Sequence, residues 1–557
     1  AYSGGGDLVV KGQSSRRIGI NLLGQMIFES GNGRLIIEAL STSTTNADGG
    51  NAHAFEHLTL PGSPSLFESF SSHSQAISLI GLSSGTNSDS VGVSFLRGTS
   101  PSDTVFSNKG QGGIYISGRN VQTNAPAMRF AGMTFHAVTS SIVIEARGAG
   151  NGNDLAVIDF LSSGSIAGAT STLTSSANII MRADAFSNQT NMTYSTSGEV
   201  AFEPYNGGFE AELDLGTGFK PSSGVTSLRV GRPGNLSGSA VVNQSTGSVR
   251  VSAPFSISGP ISVYGTILTF NESIQSTRAG SPILLRSVDE IHITGSRQVR
   301  TAGGNIVLWS DSDNNSSGFV RLLGNATLCS TAATCGTSTT GGGDIVIGGG
   351  LASTTDPTRP AGFAAGAGTG YNAIGTSNTT GVQLGTLQVT NSGAKIYSAG
   401  GNVTIRGRMF SSLGTAWGAG IAFVSGTEIF SGNGKIQLVG ETTGAGGSFS
   451  DGPMEFNAWG PGTTTIRSLS TASDAILVEG RQSGSAPGDG VWGGNAGTTI
   501  NTQSTLVGGN NALTISGVAD IDGDFTGLTT LSVTGTSNIG ADITTSGTQT
   551  YAGAVTL

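Results

Sequence analysis

The feature that most constrains this chain is a short motif that occurs near both of its ends, a glycine-rich polar corner followed by apolar residues at alternate positions. Residues 30–39 read SGNGRLIIEA, and residues 431–440 read SGNGKIQLVG. Successive side chains of an extended strand point to opposite faces, so the alternate apolar residues would share one buried face. Glycine and asparagine accept the positive φ that a tight corner needs. The motif therefore predicts a corner followed by a half-buried β-strand.

Copies of the motif recur along the chain at irregular intervals. Residues 393–407 align without gaps to residues 426–440, 33 positions further on, and residues 513–521 are echoed 18 positions later by residues 531–539. A propeller would repeat with one period of about 40 to 50 residues, and a sandwich gives no reason for distant copies. Irregular gaps favour a β-solenoid, because each rung contacts only its neighbours and can carry its own loop.

The composition favours stacked strands and argues against helices. Glycine accounts for 90 of the 557 residues, and charged residues make up 11 %, against about 25 % in ordinary globular proteins. A glycine inside a helix costs about 1 kcal/mol relative to alanine, and glycine interrupts almost every stretch long enough for three turns. Like charges stacked at the strand spacing of roughly 4.8 Å would repel each other, which accounts for the scarcity of charge. We predict an all-β fold, a parallel β-helix with loop insertions.

Several copies of the motif resemble the repeats of a known family. The units SAGGNVTIRG, TAGGNIVLWS and SGNGKIQLVG, with the ending ITTSGTQTYAGAVTL, look like the repeats of filamentous haemagglutinin-like and related large bacterial β-strand-repeat adhesins. The resemblance is spread over most of the chain. It implies a right-handed parallel β-helix, export through the outer membrane, and a role in adhesion or in an extracellular matrix.

The predicted organisation is one solenoid whose rungs change in regularity. Residues 1–470 are expected to form irregular rungs with side loops or extra strands, for example around residues 41–74 and 194–216, and residues 471–557 to continue in rungs of about 18 residues. Loops carry most binding function, so specificity is expected where the pattern is interrupted. The sequence stops inside an apparent strand, which predicts a fragment of a longer polypeptide or an open edge that pairs end to end into filaments.

Charge and cysteine content narrow the range of partners and locations. The net charge of −9 and the absence of basic runs argue against nucleic-acid binding, and no apolar stretch is long enough to predict a transmembrane helix. The two cysteines, Cys329 and Cys335, lie six positions apart, which predicts a small loop disulfide and an oxidising compartment. We predict a protein of the bacterial cell surface or exterior. Its expected partners are a host or neighbouring cell surface, a polysaccharide, or further copies of itself.

Two strings match catalytic motifs without the context that those motifs need. HAFEH, from His53 to His57, has the spacing of inverted zinc peptidases, but both imidazoles reach one metal only on a helix, and the flanking residues disfavour one. GLSSG, residues 81–85, matches G-x-S-x-G, but no helix is predicted after it. HAFEH is interpreted as a loop or turn that contains two histidines, and GLSSG as a turn.

Calcium is the metal that the sequence favours. Acidic and amide side chains alternate in two turn-like stretches, WSDSDNNSSG and DIDGD. Oxygen ligands at that spacing can converge on a hard cation, although neither stretch completes an EF-hand, and ordinary polar turns are the alternative interpretation of both. The candidate ligands are Asp311, Asp313, Asn315, Asp520, Asp522 and Asp524. No other cofactor is predicted.

Two functions follow from the sequence. The first is a structural or adhesive surface protein without catalytic residues, which we predict. The second is a carbohydrate-active β-helix, a polysaccharide lyase or hydrolase, whose acids would be carboxylates on neighbouring rungs. Asp184, Glu199 and Glu203 are such carboxylates by residue type alone. Trp417, Trp459 and Trp492 would be the aromatic platforms of that second function.

Overall fold

The computed structural model describes most of the chain, and its regular elements are all strands. The described residues are 1–43, 52–59, 64–85, 90–97, 104–121, 126–131, 133–148, 157–160, 171–175, 177–187, 192–216, 220–221, 224–366, 371–372, 376–377, 379–387, 389–410, 418–443, 452–456, 462–483, 498–500 and 504–557. Within these ranges there is no helix, and hence none that could span a membrane. Long stacks of parallel strands confirm the predicted all-β parallel β-helix.

The chain divides into two compact units, which are described separately. The first unit comprises Ala1–Pro233 and Ser245–Pro260, and the second comprises Gly234–Gln244 and Ile261–Leu557. In each unit three strands make up a rung, and each strand pairs with its equivalent in the next rung.

The first unit has three parallel sheets. Its first sheet contains Leu8–Ser14, Leu35–Ser41, Ile77–Ser83, Ile114–Asn120, Ile142–Arg147, Ile179–Arg182, Glu199–Glu203 and Ser227–Val230. The second sheet contains Ile20–Leu23, Phe55–Thr59, Val93–Arg97, Met128–Phe130, Val157–Phe160 and Ala185–Ser187. The third contains Ile27–Glu29, Ser65–Ser69, Thr104–Asn108, Met133–Ala137, Ser171–Ser175, Met192–Thr196 and Lys220–Pro221. Leu213–Asp214 pairs with Val249–Val251 in the same unit, which also contains Phe255–Ile257.

The second unit repeats the arrangement as three stacks. The first stack contains Ile261–Phe270, Ile283–Ile293, Ile306–Ser310, Ile345–Ala352, Val403–Phe410, Ile436–Thr443, Ile476–Ser483, Ser504–Ser516, Asp524–Val533 and Gln549–Tyr551. The second contains Val320–Leu322, Val382–Leu384, Ala419–Phe423, Gly452–Phe456, Thr498–Ile500, Ala519–Ile521, Ser537–Ile539 and Val555–Thr556. The third contains Ile274–Ala279, Gln298–Ala302, Thr327–Cys329, Lys395–Tyr397, Glu428–Phe430, Gly462–Arg467 and Ile543–Thr545.

Short strands outside these stacks occur in the insertions of the second unit. Asn235–Ser237 and Ala240–Val242 form an antiparallel hairpin, as do Tyr371–Asn372 and Thr376–Ser377. Pro360–Gly362 pairs antiparallel with Ile345–Ala352, and Ala364–Ala365 pairs with Val403–Phe410.

The pairing register reproduces both spacings read from the sequence. Val403 lies opposite Ile436, so the gapless 33-residue alignment joins two adjacent rungs. Leu513 lies opposite Leu531, which gives the rung of 18 residues. The apolar residues of these strands point inward and are almost fully buried, as alternation predicted.

Two ladders of phenylalanine fill the core of the first unit. In the third sheet, the rings of Phe67 and Phe106 stack with centroids 4.5 Å apart, and Phe106 stacks on Phe135 at 5.5 Å. In the second sheet, Phe95 and Phe130 stack at 5.9 Å. Edge-to-face contacts such as Phe95 with Phe106, at 5.5 Å, join the two ladders. The in-register pairing therefore places like rings on like rings, where each adds to the burial of the next.

The corner of the opening motif is closed by the same hydrogen bond in both copies. Ser30 Oγ donates to Gly33 O at 2.8 Å, and Ser431 Oγ donates to Gly434 O at 2.6 Å. The glycine after each serine has a φ of 61°, in the left-handed region. Ser330 Oγ makes the equivalent bond to Gly343 O at 2.6 Å, although 13 positions rather than three separate the two residues. The corner bond is therefore kept whether the corner is short or carries a loop.

Replacing Phe106 by alanine tests the ring ladder. Phe106 is fully buried and stacks on rings from the rungs on both sides, so the cavity should lower the free energy of unfolding of the first unit by about 3 to 5 kcal/mol. Urea unfolding of the whole chain measures the change. Ile80→Ala, at a residue that is 41 % exposed in the same unit, is the matched control and should change the free energy by less than about 1 kcal/mol.

Candidate functional site

The outer face of the first sheet in the first unit carries one line of mainly polar and charged side chains. Lys11 lies opposite Glu38, and each later strand adds one residue at the same position of the register. The complete line is Lys11, Glu38, Ile80, Ser117, Glu145, Arg182 and Glu203. We call these seven residues the outer line. It is the longest run of functional groups that the register brings together on this sheet.

One end of the outer line borders a shallow groove. Lys11 Nζ lies 2.6 Å from Glu38 Oε2, and both side chains are well exposed. Gln13, Leu40 and Ile80 also line the groove, whose volume is about 500 Å³. The groove thus combines an exposed ion pair with aliphatic side chains.

The other end of the outer line is a continuous network of ion pairs. Arg182 bridges two rungs, with Nη1 at 3.3 Å from Glu145 Oε2 and Nε at 2.6 Å from Glu203 Oε2. Arg229 Nη2 continues the network to Glu203 Oε1 at 2.8 Å and to Glu199 Oε2 at 2.9 Å. Opposite charges therefore alternate along the stack, which removes the repulsion that stacked like charges would cause.

Two tyrosines stand beside this network. Arg147 Nε donates to Glu145, and its Nη2 donates to the Tyr115 hydroxyl at 2.9 Å. The guanidinium of Arg147 also lies 5.9 Å from the ring centre of Tyr205. Arg232 fixes the loop that carries Tyr205, because its guanidinium donates to three consecutive backbone carbonyls, those of Pro204, Tyr205 and Asn206.

The ion pairs keep the carboxylate of Glu203 charged. Burial opposes ionisation of Glu203, but hydrogen bonds from Arg182 and Arg229 outweigh it and lower the pKa of Glu203. Burial also opposes the charge of Arg229, and its bonds to Glu199 and Glu203 raise its pKa. A carboxylate held ionised in this way is suited to accepting hydrogen bonds and is a poor proton donor.

Asp184 does not pair with either of the other two carboxylates named from the sequence, Glu199 and Glu203. Glu199 and Glu203 both contact Arg229, whereas Asp184 is fully buried and accepts hydrogen bonds from the backbone and side-chain nitrogens of Asn206 at 2.7 and 2.6 Å. The proposed aromatic platforms, Trp417, Trp459 and Trp492, lie outside the described residues.

The sequence predicts which side chains near the outer line point outward, but not which of them lie opposite each other. Tyr115, Glu145 and Arg182 follow glycine or apolar residues in recognisable strands, so their outward direction follows from alternation. The loops between these strands differ in length, so nothing in the sequence fixes which charges stack on each other. The register of the structure supplies that step.

The string HAFEH separates its two histidines. His53 precedes the strand Phe55–Thr59, accepts a hydrogen bond from Val91 N at Nδ1 (3.1 Å), and places Nε2 at 3.0 Å from Glu56 Oε2. The interpretation of the string as a loop or turn is wrong for its second half, because His57 lies inside the strand and points into the core. The two imidazoles therefore do not converge on a metal.

His57 takes the place of a ring in the second phenylalanine ladder. It lies opposite Phe95 in the register and packs edge-on to Phe95 and Phe67 at 6.3 and 6.0 Å. Its Nδ1 is 3.1 Å from Leu22 O, and its buried Nε2 has no hydrogen-bond partner among the residues that the structure describes. Burial lowers the pKa of His57, against the opposing effect of the bond to Leu22.

The serine of GLSSG has a structural role. Ser83 ends the strand Ile77–Ser83 and is fully buried. Its hydroxyl donates to Ala52 O at 2.6 Å and accepts a bond from Gly85 N at 3.2 Å. The hydroxyl is thus occupied in closing a corner, as the turn interpretation expects.

The first calcium candidate is closed by its own hydrogen bonds. Asp311 is 2 % exposed and accepts a bond from Ser316 N at 3.1 Å, and Asp313 accepts one from Asn315 Nδ2 at 2.9 Å. Burial and the nearby Asp313 raise the pKa of Asp311 to about 7, although backbone N–H groups oppose this effect. The carboxyl of Asp311 is therefore neutral or ionised according to the pH near neutrality.

The second calcium candidate spans neighbouring 18-residue rungs. Asp520 accepts a bond from Asn538 Nδ2 at 2.9 Å, and Asp524 accepts one from Asp542 N at 3.3 Å. Burial and the charge of Asp520 raise the pKa of Asp522. In the part of the chain that the structure describes, no group of three or more His, Cys, Asp or Glu side chains is arranged to hold a metal ion.

Cys329 and Cys335 are joined by a disulfide bond, with Cα atoms 6.0 Å apart. The bond closes a small loop on the outside of the third stack of the second unit. The pairing is the one expected from the spacing of the two residues.

Comparison of the chain with protein-family models, curated proteins and solved structures finds no match. The parallel β-helix therefore rests on the strand pairing itself. The resemblance to filamentous haemagglutinin-like adhesins, and with it export and filament formation, stays a prediction.

Replacing Arg182 by methionine tests the ion-pair network. Glu145 and Glu203 would each lose one of their two guanidinium partners while staying more than nine-tenths buried, so the free energy of unfolding at pH 7 should fall by roughly 1 to 3 kcal/mol. The difference from the unmodified chain should shrink as the pH falls below 4.5, the ordinary pKa of Glu, because protonated carboxyls gain little from Arg182. Denaturant unfolding measures both effects. Arg481→Met, which breaks a pair with Glu479 at a half-exposed arginine, should change the stability by less than about 1 kcal/mol.

The buried His57 predicts a loss of stability in mild acid. Its folded-state pKa lies below the ordinary 6.5, so the unfolded chain binds the extra proton first, and stability should fall as the pH drops below 6.5 toward the lowered pKa. The free energy of unfolding should fall by up to about 1.4 kcal/mol per pH unit because of this one group. Thermal unfolding between pH 7.5 and about 5 measures it. His57→Phe should reduce the slope, whereas His73→Gln, at an exposed histidine, should leave it unchanged; equal slopes in all three proteins would contradict the assignment.

Proposed function

We propose that this chain is an exported, non-catalytic β-solenoid that acts as a structural and adhesive scaffold at the bacterial surface, with the outer line as its contact face. A scaffold of this kind needs a rigid core and an exposed regular surface. The stacked rings of the first unit supply the core. The outer line supplies a face that extends over seven strands, on which Lys11, Glu38 and Ile80 are the most exposed side chains and Glu145 and Glu203 are buried.

The observation that carries the proposal is the pairing of the carboxylates with arginines. Glu145, Glu199 and Glu203 each contact at least one guanidinium. Glycoside hydrolysis requires a protonated carboxyl beside an ionised one, and the lowered pKa of Glu203 makes that residue a poor candidate for the protonated one. The same paired groups remain good hydrogen-bond donors and acceptors, so they favour binding.

The proposed ligand is a polysaccharide of low charge. Glu145 and Glu203 are balanced by Arg182 and Arg229, so the network presents little net charge to attract a polyanion. Planar guanidinium and carboxylate groups bond well to adjacent hydroxyls, and the rings of Tyr115 and Tyr205 offer apolar faces to a sugar. An extended polymer could meet such groups on one strand after another along the outer line.

The proposed location is supported by the disulfide between Cys329 and Cys335, because such bonds persist in oxidising compartments. Polysaccharide cleavage is the second candidate function, and the clustering of Glu145, Glu199 and Glu203 on one outer face is the observation that favours it.

Retention on polysaccharides with simultaneous assay of cleavage tests the proposal. The purified chain is run through gels containing neutral and acidic polysaccharides, and reducing ends and unsaturated products are measured after incubation. We expect retardation by at least one neutral polysaccharide and no cleavage. Arg147→Met should weaken binding roughly 10- to 100-fold, because a hydrogen bond to a charged group contributes about 1.5 to 3 kcal/mol.

Arg481→Met, at an exposed arginine of the second unit, is the matched control and should bind like the unmodified chain. Arg147 contacts Glu145 of the outer line, so retardation that is equal in both variants would contradict the proposal that this part of the sheet is the contact face. Release of products would replace the adhesive function by the catalytic one.

A further inference from the structure

The loop that follows Cys329 lies across several rungs of the second unit. It begins at Ser330, after the strand Thr327–Cys329, and returns at Gly343, before Ile345–Ala352. We call residues 331–342 the strap. Alanine, threonine and glycine make up most of it, and many of its residues are exposed.

Beneath the strap runs an in-register line on the outer face of the third stack. Successive strands contribute Arg300, Cys329, Tyr397, Phe430 and Arg467. Cys329 and Phe430 are buried although they point away from the core. The Arg467 guanidinium lies 3.8 Å from the ring centre of Phe430, within range of a cation–π contact.

The two arginines at the ends of this line hold the strap from both sides. Arg300 Nε donates to Thr331 O at 3.2 Å, and its Nη2 donates to the carbonyls of Ala332 and Ala333, both at 2.8 Å. Arg467 Nη2 donates to Gly336 O at 3.3 Å. The strap is therefore bonded to the strand one rung before its own and to a strand three rungs after it.

The far part of the strap packs on two corners of the repeated motif. Gly342 N donates to Ala399 O at 2.8 Å, and Asn433 N donates to Thr339 O at 3.0 Å. A Cβ atom on Gly432 would lie 2.5 Å from Thr339 O, so the close approach requires glycine there. The backbone N–H of Asn433, in the corner SGNGK, is thus held in a hydrogen bond by the strap, which protects it from exchange with solvent.

We propose that the strap is a redox-controlled clamp, in which the Cys329–Cys335 disulfide holds these consecutive rungs as one cooperative unit. The disulfide closes the strap at the point where Arg300 and Arg467 converge on it from the two sides. This role goes beyond the proposed adhesive function and does not depend on it.

Opening the clamp is a two-electron reduction. An external dithiol attacks the disulfide, its two sulfurs form a new disulfide in the reductant, and two protons and two electrons pass to Cys329 and Cys335, which become thiols. The strap then keeps its hydrogen bonds but loses the covalent link between Cys335 and the strand Thr327–Cys329. Closing so short a loop stabilises it by a factor of roughly 10 to 50.

Hydrogen exchange of the full chain, followed by mass spectrometry, tests the clamp. Exchange is compared before and after dithiothreitol treatment, with the thiol mass confirming reduction. We expect amides in residues 431–435, including Asn433, to exchange roughly 10- to 50-fold faster in the reduced chain. Residues 30–34 carry the same SGNG corner without a strap and should not change.

Arg300→Met keeps the disulfide and removes three strap bonds, so it should give a smaller increase at residues 431–435. Unchanged exchange at residues 431–435 in fully reduced protein would overturn the clamp. An equal increase at residues 30–34 would also overturn it, because the effect would then be a general loss of stability. Because reduction acts on the folded chain, neither outcome depends on whether a cysteine variant can fold.

Discussion

In-register parallel stacking is the constraint on which the rest of this structure depends. Each residue of a rung meets the residue at the same position of the rungs above and below, so every choice of side chain is repeated in space. Apolar residues gain from this, as the rings of Phe67, Phe106 and Phe135 show. Charged side chains gain from it when their signs alternate, as those of Glu145, Arg182 and Glu203 do on consecutive strands. The low charge content of the chain and the ion pairs of its outer line therefore have one physical origin.

The sequence predicted the fold well because the fold is built from local rules. Alternation fixed which residues of Val403–Phe410 and Ile436–Thr443 face the core, and the gapless 33-residue repeat fixed their register. The candidate site was harder to predict, because the rungs that carry Tyr115, Glu145 and Arg182 are separated by loops of unequal length. Stacking brings the strands on either side of such loops together. Which of their residues lie opposite each other follows only from the register of the structure. The strap escaped prediction for the same reason, since Arg300 and Arg467 meet it from distant parts of the sequence.

The polar residues with catalytic-looking spacing are largely engaged in holding the fold. Ser83 closes a corner, His53 connects a backbone amide to Glu56, and His57 occupies a ring position in a ladder. In a chain rich in glycine and serine, short motifs arise by chance, and their surroundings decide their chemistry. What distinguishes the outer line from these residues is that its groups repeat from strand to strand on the outer face of one sheet.

The corner bond between a serine hydroxyl and a glycine carbonyl has a consequence for how such chains change. The same bond joins residues three positions apart at Ser431 and thirteen apart at Ser330, and the following strands begin in register in both cases. The corner can therefore contain a short turn or a long loop without changing the register of the stacked strands. Surface loops of this scaffold can be exchanged independently of its core, so recognition can diverge while the architecture is conserved.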